Sequence, residues 1–122
     1  MSIITEKRQS GAFLASEANG NRSREAGTLA AGTLYAGAVL ALNGSGNYVQ
    51  VAPAATDGTE TAVGVLLAEA DASAAPADCV VVVRDAEVNQ AELIWPDAAT
   101  GGQITTGLSQ LRAAGIIPRP GL

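Results

Sequence analysis

The sequence predicts a mainly β protein: a small bent β-ribbon or β-barrel body with one or two short helices, entered through a flexible N-terminal arm. Three observations carry that expectation. Short runs of strand-forming residues recur between clusters of Gly, Asn, Asp and Pro, which is the punctuation of strands and tight turns. Only one segment, near the C-terminus, spaces its apolar residues at helical intervals. The composition also shifts at Gly27, from mixed and polar before it to strand-forming after it.

In chain order, residues 1–27 read as the arm and residues 28–122 as one β-rich domain. Met1 to Phe13, with Leu14 after it, mixes Ile3, Ile4, Phe13 and Leu14 with charge and shows no sustained period. Ser16 to Gly27 is polar, with Asn19-Gly20-Asn21 as a turn or disorder signal. A purely solvating tail has no need of those four apolar residues, so they are the candidate docking contacts of the arm.

Thr33 to Leu42 carries strand formers, Asn43 to Asn47 is a dense turn signal, and Tyr48 to Val51 resumes with alternation, which together make a hairpin. A loop through Asp57-Gly58 precedes a strand over Thr61 to Leu67, and Ala68 to Asp78 reads as a connection. Cys79 to Val83 suits a strand buried on both faces, and Arg84 to Val88 reads as its continuation towards solvent. Pro96 stops the ladder because it lacks an N–H donor. Ile104, Leu108 and Leu111 share a helical face, with Thr105 or Thr106 as N-cap and Gly115 as terminator. Ile116-Ile117 forms a last short strand, and Pro118 and Pro120 end it.

A chain of 122 residues supports one well-packed domain. Its hydrophobic content of 48% is misleading, because alanine supplies close to half of it and aromatics are only 3%. Alanine buries little area, so the core is thin, and a thin core favours completing burial against sister subunits. The formal charge of -5, with four of the seven basic residues at Lys7, Arg8, Arg22 and Arg24, leaves an acidic body that phosphates repel. Nucleic acid is therefore not an expected partner. No secretion signal opens the chain, no apolar run approaches the roughly 18 residues a membrane span needs, and a lone Cys79 fits a reducing compartment.

The sequence contains no histidine, which removes Ser-His-Asp and Cys-His catalysis and most zinc sites, and one cysteine cannot supply the rest. No phosphate-binding loop motif is present. Paired carboxylates stay formally open: Asp85 and Glu87 share a strand face by period-2 spacing, and Glu69 and Asp71 do likewise. A solvated face is the simpler reading for both pairs, and a small core residue is the simpler reading for Cys79. The chain is expected to be no enzyme and to need no cofactor or metal.

Leu93-Ile-Trp-Pro-Asp-Ala-Ala99 resembles a stretch typical of the bacteriophage head decoration protein family, the lambda-like protein D type. Upstream features fall in the family's order: Thr33 to Leu42, Asp57-Gly58, then Ala62-Val-Gly-Val-Leu66, with Leu111-Arg-Ala-Ala-Gly-Ile-Ile-Pro-Arg119 near the end. The resemblance covers residues 27 to 119 and implies a homotrimer on the local threefold sites of an expanded phage capsid. Its partner there is the major capsid protein, its place the outer surface of the virion after synthesis in the host cytoplasm, and its role stabilisation against packaged DNA. The family analogy makes the N-terminal segment the gripping element, with Ile3, Ile4, Phe13 and Leu14 as contacts, although arm sequences in the family vary too much to match residue by residue. Trp95 and Pro96 are the expected anchor, either of the core or of the trimer interface, and packing of Trp95 on the valine strand is the favoured form. Two other readings are a tail- or fibre-associated β-trimer and an enzyme using Asp85, Glu87 or Asp97.

Overall fold

The computed structural model of the chain describes residues 13–18 and 22–120. Ten strands and one α-helix make up the described structure: β1 Leu14–Glu17, β2 Arg24–Leu29, β3 Gly32–Leu34, β4 Val39–Leu42, β5 Tyr48–Gln50, β6 Gly64–Leu66, β7 Ala70–Ala72, β8 Ala77–Val82, β9 Ala86–Asn89, α1 Gly101–Ala113 and β10 Ile116–Arg119. A single 3-10 turn, Gln90–Glu92, leads out of β9. The mainly β class is as the sequence predicts.

Five strands close into a barrel in the order β2-β5-β4-β6-β8. Each contributes at least one side chain to the interior: Leu29, Tyr48, Leu40, Leu66, and Cys79 with Val81. Leu29, Leu40, Leu66 and Val81 are fully buried, and burial of each aliphatic side chain contributes about 1.5–3 kcal/mol. Closure demands small residues where rings and branched side chains cross. A Cβ on Gly27 of β2 meets Cε2 of Tyr48 at 2.5 Å, and one on Gly64 of β6 meets the carbonyl oxygen of Val82 at 2.9 Å. The glycine of the Ala62-Val63-Gly64 motif is thereby explained by space.

Outside the barrel lies a second layer. β9 is central in a three-stranded sheet of order β1-β9-β10, antiparallel to β1 and parallel to β10. The crossover from β9 to β10 runs through α1, as a parallel pair requires. Between this layer and the barrel sits the larger core cluster, with Phe13, Val39, Val65, Val82, Val88, Leu108, Leu111 and Ile116. A third, two-stranded sheet pairs β3 with β7.

Several expectations are corrected. Thr33 to Leu42 is two strands: Gly37 at φ 99° turns the chain, and the Tyr35 carbonyl accepts from Ala38 N at 3.1 Å, so β3 pairs away with β7 while β4 enters the barrel. The Ala68–Asp78 connection contains β7, which its small polar composition concealed. Cys79 to Val88 is likewise not continuous: Asp85 adopts φ 52°, sending β8 to the barrel and β9 to the outer sheet. Val81 and Val82 are buried, but Val80 is 38% exposed, so burial on both faces holds only for the end of the strand.

The helix begins before Thr105. Thr100 is its N-cap in a capping box: Gln103 N donates to Thr100 Oγ1 at 3.1 Å, and Thr100 N donates to Gln103 Oε1 at 2.9 Å. Thr105 and Thr106 instead donate back to the carbonyls of Gly101 and Gly102 at 3.0 and 3.1 Å. Pro118 lies within β10 rather than ending it, which its edge position in the sheet permits. The composition shift at Gly27 falls inside β2, which pairs with β8 along its whole length. Part of the expected arm is therefore strand, and residues 1–12 lie outside the described residues.

Candidate assembly surface

The described chain starts at Phe13, which is 1% exposed and sits in the larger core cluster. Its carbonyl accepts from Asn89 N at 2.7 Å, beginning the pairing of β1 with β9. Leu14 opposes Val88 and is packed against the same cluster, with a register shift before Ser16. The outer edge of β1 has no strand partner among the described residues. The described chain thus begins at a buried aromatic anchor beside an edge that is unpaired among the described residues.

A polar clamp fixes this corner. Glu17 at the end of β1 accepts from Arg24 Nε at 3.0 Å, from a second Arg24 nitrogen and from the hydroxyl of Ser23. Ser23 is fully buried, and its carbonyl accepts from Val83 N at 2.9 Å. The Arg24 guanidinium, helped by Ser23, holds the Glu17 carboxyl below the usual carboxylate range despite the opposing effect of burial. Arg84 adds a second tie, donating to the Arg22 carbonyl at 2.8 Å and pairing with Glu25. Sequence reading missed this clamp. The one signal was the mixed charge of Glu17, Arg22, Arg24 and Glu25 in a short stretch, which local patterning assigns to a solvated segment.

Ile3 and Ile4 lie outside the described residues. Phe13 is committed to the body's own core in this structure, and Leu14 is half-buried there. Trp95 is also half-buried, and its indole packs on α1 at Gly107, where an added Cβ would overlap the ring. It touches the larger core cluster, which includes Val65 and Val82. Pro96 lines a shallow apolar groove of about 270 Å³ with Ala52, Pro53, Ala54, Ala98 and Ala99. The structure sets Pro96 among the alanine-rich loops, and Trp95 packs against the same core cluster that holds Phe13.

The candidate acid–base residues do not converge. Asp85 is in the turn and Glu87 in β9, so the pair does not share a strand face as expected. Asp85 lies 3.6 Å from Arg22, while Glu87 lies 3.3 Å from Arg119 and accepts from Ser16 Oγ at 2.7 Å. Asp71 accepts from Thr33 Oγ1 at 2.9 Å and from Ser73 N at 3.0 Å, tying β3 to the turn after β7. Burial, with a contribution from Asp78, pushes the Cys79 thiol up, away from the thiolate a nucleophile needs. Among the described residues no three His, Cys, Asp or Glu side chains gather as metal ligands, and no helix is long and apolar enough to cross a membrane.

Large apolar side chains do reach the surface: Tyr35 follows β3, Leu42 ends β4, Val80 lies on β8 of the barrel, and Ile117 lies on β10. A search of curated proteins finds no match. The family described as bacteriophage lambda head decoration protein D, in contrast, matches residues 3–116, which includes the N-terminal corner and the body up to the start of β10. The ordered motifs, the β body and this nearly full-length match agree, and the chain belongs to the bacteriophage lambda head decoration protein D family, whose role is structural.

Proposed function

We propose that the chain decorates a phage head as a homotrimer, binding the major capsid protein at local threefold sites of the expanded shell and stabilising it against internal DNA pressure. The observation that carries this reading is the family match over residues 3–116. The protein's place is then the outer surface of the virion, after synthesis in the host cytoplasm.

The N-terminal segment is the proposed grip. Residues 1–12 leave the body beside an open strand edge, and Ile3 and Ile4 are their apolar anchors. Such a segment can add as a strand to a sheet edge of the capsid protein. Ordering it costs several kcal/mol, so one arm binds modestly. Three arms on one trimer give an effective concentration of roughly mM, and avidity adds about 10²–10⁴. Phe13 and Leu14 act by fixing where the arm starts, and Trp95 with Pro96 is a body anchor whose indole stays on α1 in the assembled form.

The test is binding of purified protein to expanded and unexpanded heads. Full-length protein is expected to bind expanded heads only, and deletion of residues 1–12, which spares Phe13, to abolish binding while the body stays folded and trimeric. Binding that survives the deletion undiminished sinks the arm. A full-length protein that ignores expanded heads sinks the decoration reading itself, and one that stays a monomer at high concentration undercuts the threefold-site argument.

A further inference from the structure

The hairpin between β4 and β5 turns through Asn43-Gly44-Ser45-Gly46-Asn47, and the side chain of Asn43 organises it. Its Oδ1 accepts from Ser45 N at 2.9 Å and from Asn47 N at 3.0 Å, while its backbone N–H donates to the Asn47 carbonyl at 2.9 Å. We propose that Asn43 is a self-modification site, at which the loop itself converts the asparagine amide to a carboxylate through a cyclic imide with Gly44.

Four features supply the chemistry. The hydrogen-bonded ring from Oδ1 to Ser45 N encloses the Gly44 nitrogen, so Cγ of Asn43 is folded back over the peptide that must attack it. Two backbone N–H groups on one carbonyl oxygen polarise that carbonyl and remain to stabilise the oxyanion that forms on it. Gly44 is exposed, and a Cβ built there meets nothing within 4 Å, so attack on Cγ is unhindered. The hydrogen bonds that shape this loop do not use Gly44 N, which leaves the nucleophile untied.

The step balances without an outside oxidant or reductant. Gly44 N forms a bond to Cγ and gives up its proton, the Cγ–Nδ2 bond breaks, and ammonia leaves. Water then opens the imide. Attack at Cγ breaks its bond to Gly44 N and gives aspartate, whereas attack at the backbone carbonyl gives isoaspartate. The aspartate product suits the turn, because Asp57 and Asp71 already serve the same purpose elsewhere: Asp57 Oδ1 accepts from Thr59 N at 3.1 Å, and Asp71 Oδ1 accepts from Ser73 N at 3.0 Å. Asn89 is a natural control, since its Oδ1 accepts from Ala91 N at 3.2 Å but the following residue is Gln90.

The experiment incubates the folded full chain at mildly alkaline pH and follows the peptide containing Asn43 by mass spectrometry, beside a synthetic peptide of residues 40–50. Asn43 in the folded chain is expected to convert faster than in the free peptide, with Asn89 unchanged. Gly44→Ala is expected to slow it severalfold without unfolding the loop, because Gly44 does not need a positive φ. Slower conversion in the folded chain than in the peptide means that the two hydrogen bonds protect the amide, and that result overturns the proposal. So does a folded Gly44→Ala variant, verified by circular dichroism, that converts as fast as the parent.

Discussion

The barrel and the outer sheet are built from the same short strands but solve the edge problem differently. The barrel closes β2 to β5 and β2 to β8, so none of its five strands ends as an edge. The outer sheet leaves β1 and β10 as edges and depends on both ends of the described chain: Phe13 precedes β1, and Ile116 opens β10 after the α1 crossover. The edges are not equivalent. β10 carries Pro118, which offers no N–H to an incoming strand, whereas β1 contains no proline. The barrel closes on itself, whereas the outer sheet ends, among the described residues, in an edge strand that begins at the buried Phe13.

Removing the ring that pins the terminus should break this division most sharply. Phe13→Ala leaves a cavity in the larger cluster and is expected to cost about 3–5 kcal/mol. The comparison predicts where the loss appears. Amides of β1 and β9 should lose protection in hydrogen exchange, while those of β4, β6 and β8 keep most of theirs. Equal loss of protection in the barrel strands would show that the two layers unfold as one unit. Leu40→Ala, aimed at the barrel interior, is the converse probe, costing about 2–5 kcal/mol and exposing both layers together.

The clamp at Glu17 is next in size. Its carboxyl is held below the ordinary value of 4.5 in the folded chain, mainly by Arg24. A depressed folded pKa means the stabilisation is fully present above the unfolded value and is lost as pH falls through the folded one. Unfolding midpoints should therefore decline below about pH 4.5 more steeply in the parent than in Glu17→Gln, which at neutral pH should be less stable by about 1–2 kcal/mol. Parallel pH profiles for the two proteins would remove Glu17 from the list of groups that hold β1 to β2.

Much of the barrel was legible in the sequence, because its strands are marked by local features: the Asn/Gly loop of the β4–β5 hairpin and the valines of β8. The apolar face of α1 was legible for the same reason, since Ile104, Leu108 and Leu111 recur at helical spacing. What was hidden depends on single residues that override a run. Gly37 divides Thr33 to Leu42, and Asp85, a residue with no obligation to take a positive φ, divides Cys79 to Val88. The helix start was hidden because Gly101 and Gly102 are poor helix formers, and only the Thr100–Gln103 capping box outweighs them. At the candidate surface, Trp95 was identifiable by size, but its seat on Gly107 depends on a contact twelve positions away that no local pattern encodes.

The smallest expected effect tests how much the surface ion pairs add to the outer sheet. Arg119 on β10 and Glu87 on β9 lie 3.3 Å apart, with side chains 55% and 41% exposed. At that exposure an ion pair contributes about 0.2–1 kcal/mol, and salt screens it. Arg119→Ala should therefore lower stability by no more than about 0.5 kcal/mol, and the difference should vanish in concentrated salt. Glu87 would keep its hydrogen bond from Ser16 on β1, so the β1–β9 pairing survives the loss. If the variant instead loses stability on the scale of Phe13→Ala, the outer sheet is held by charge at its surface rather than by the apolar contacts beneath it. The contrast with the barrel would then be one of forces, not only of edges.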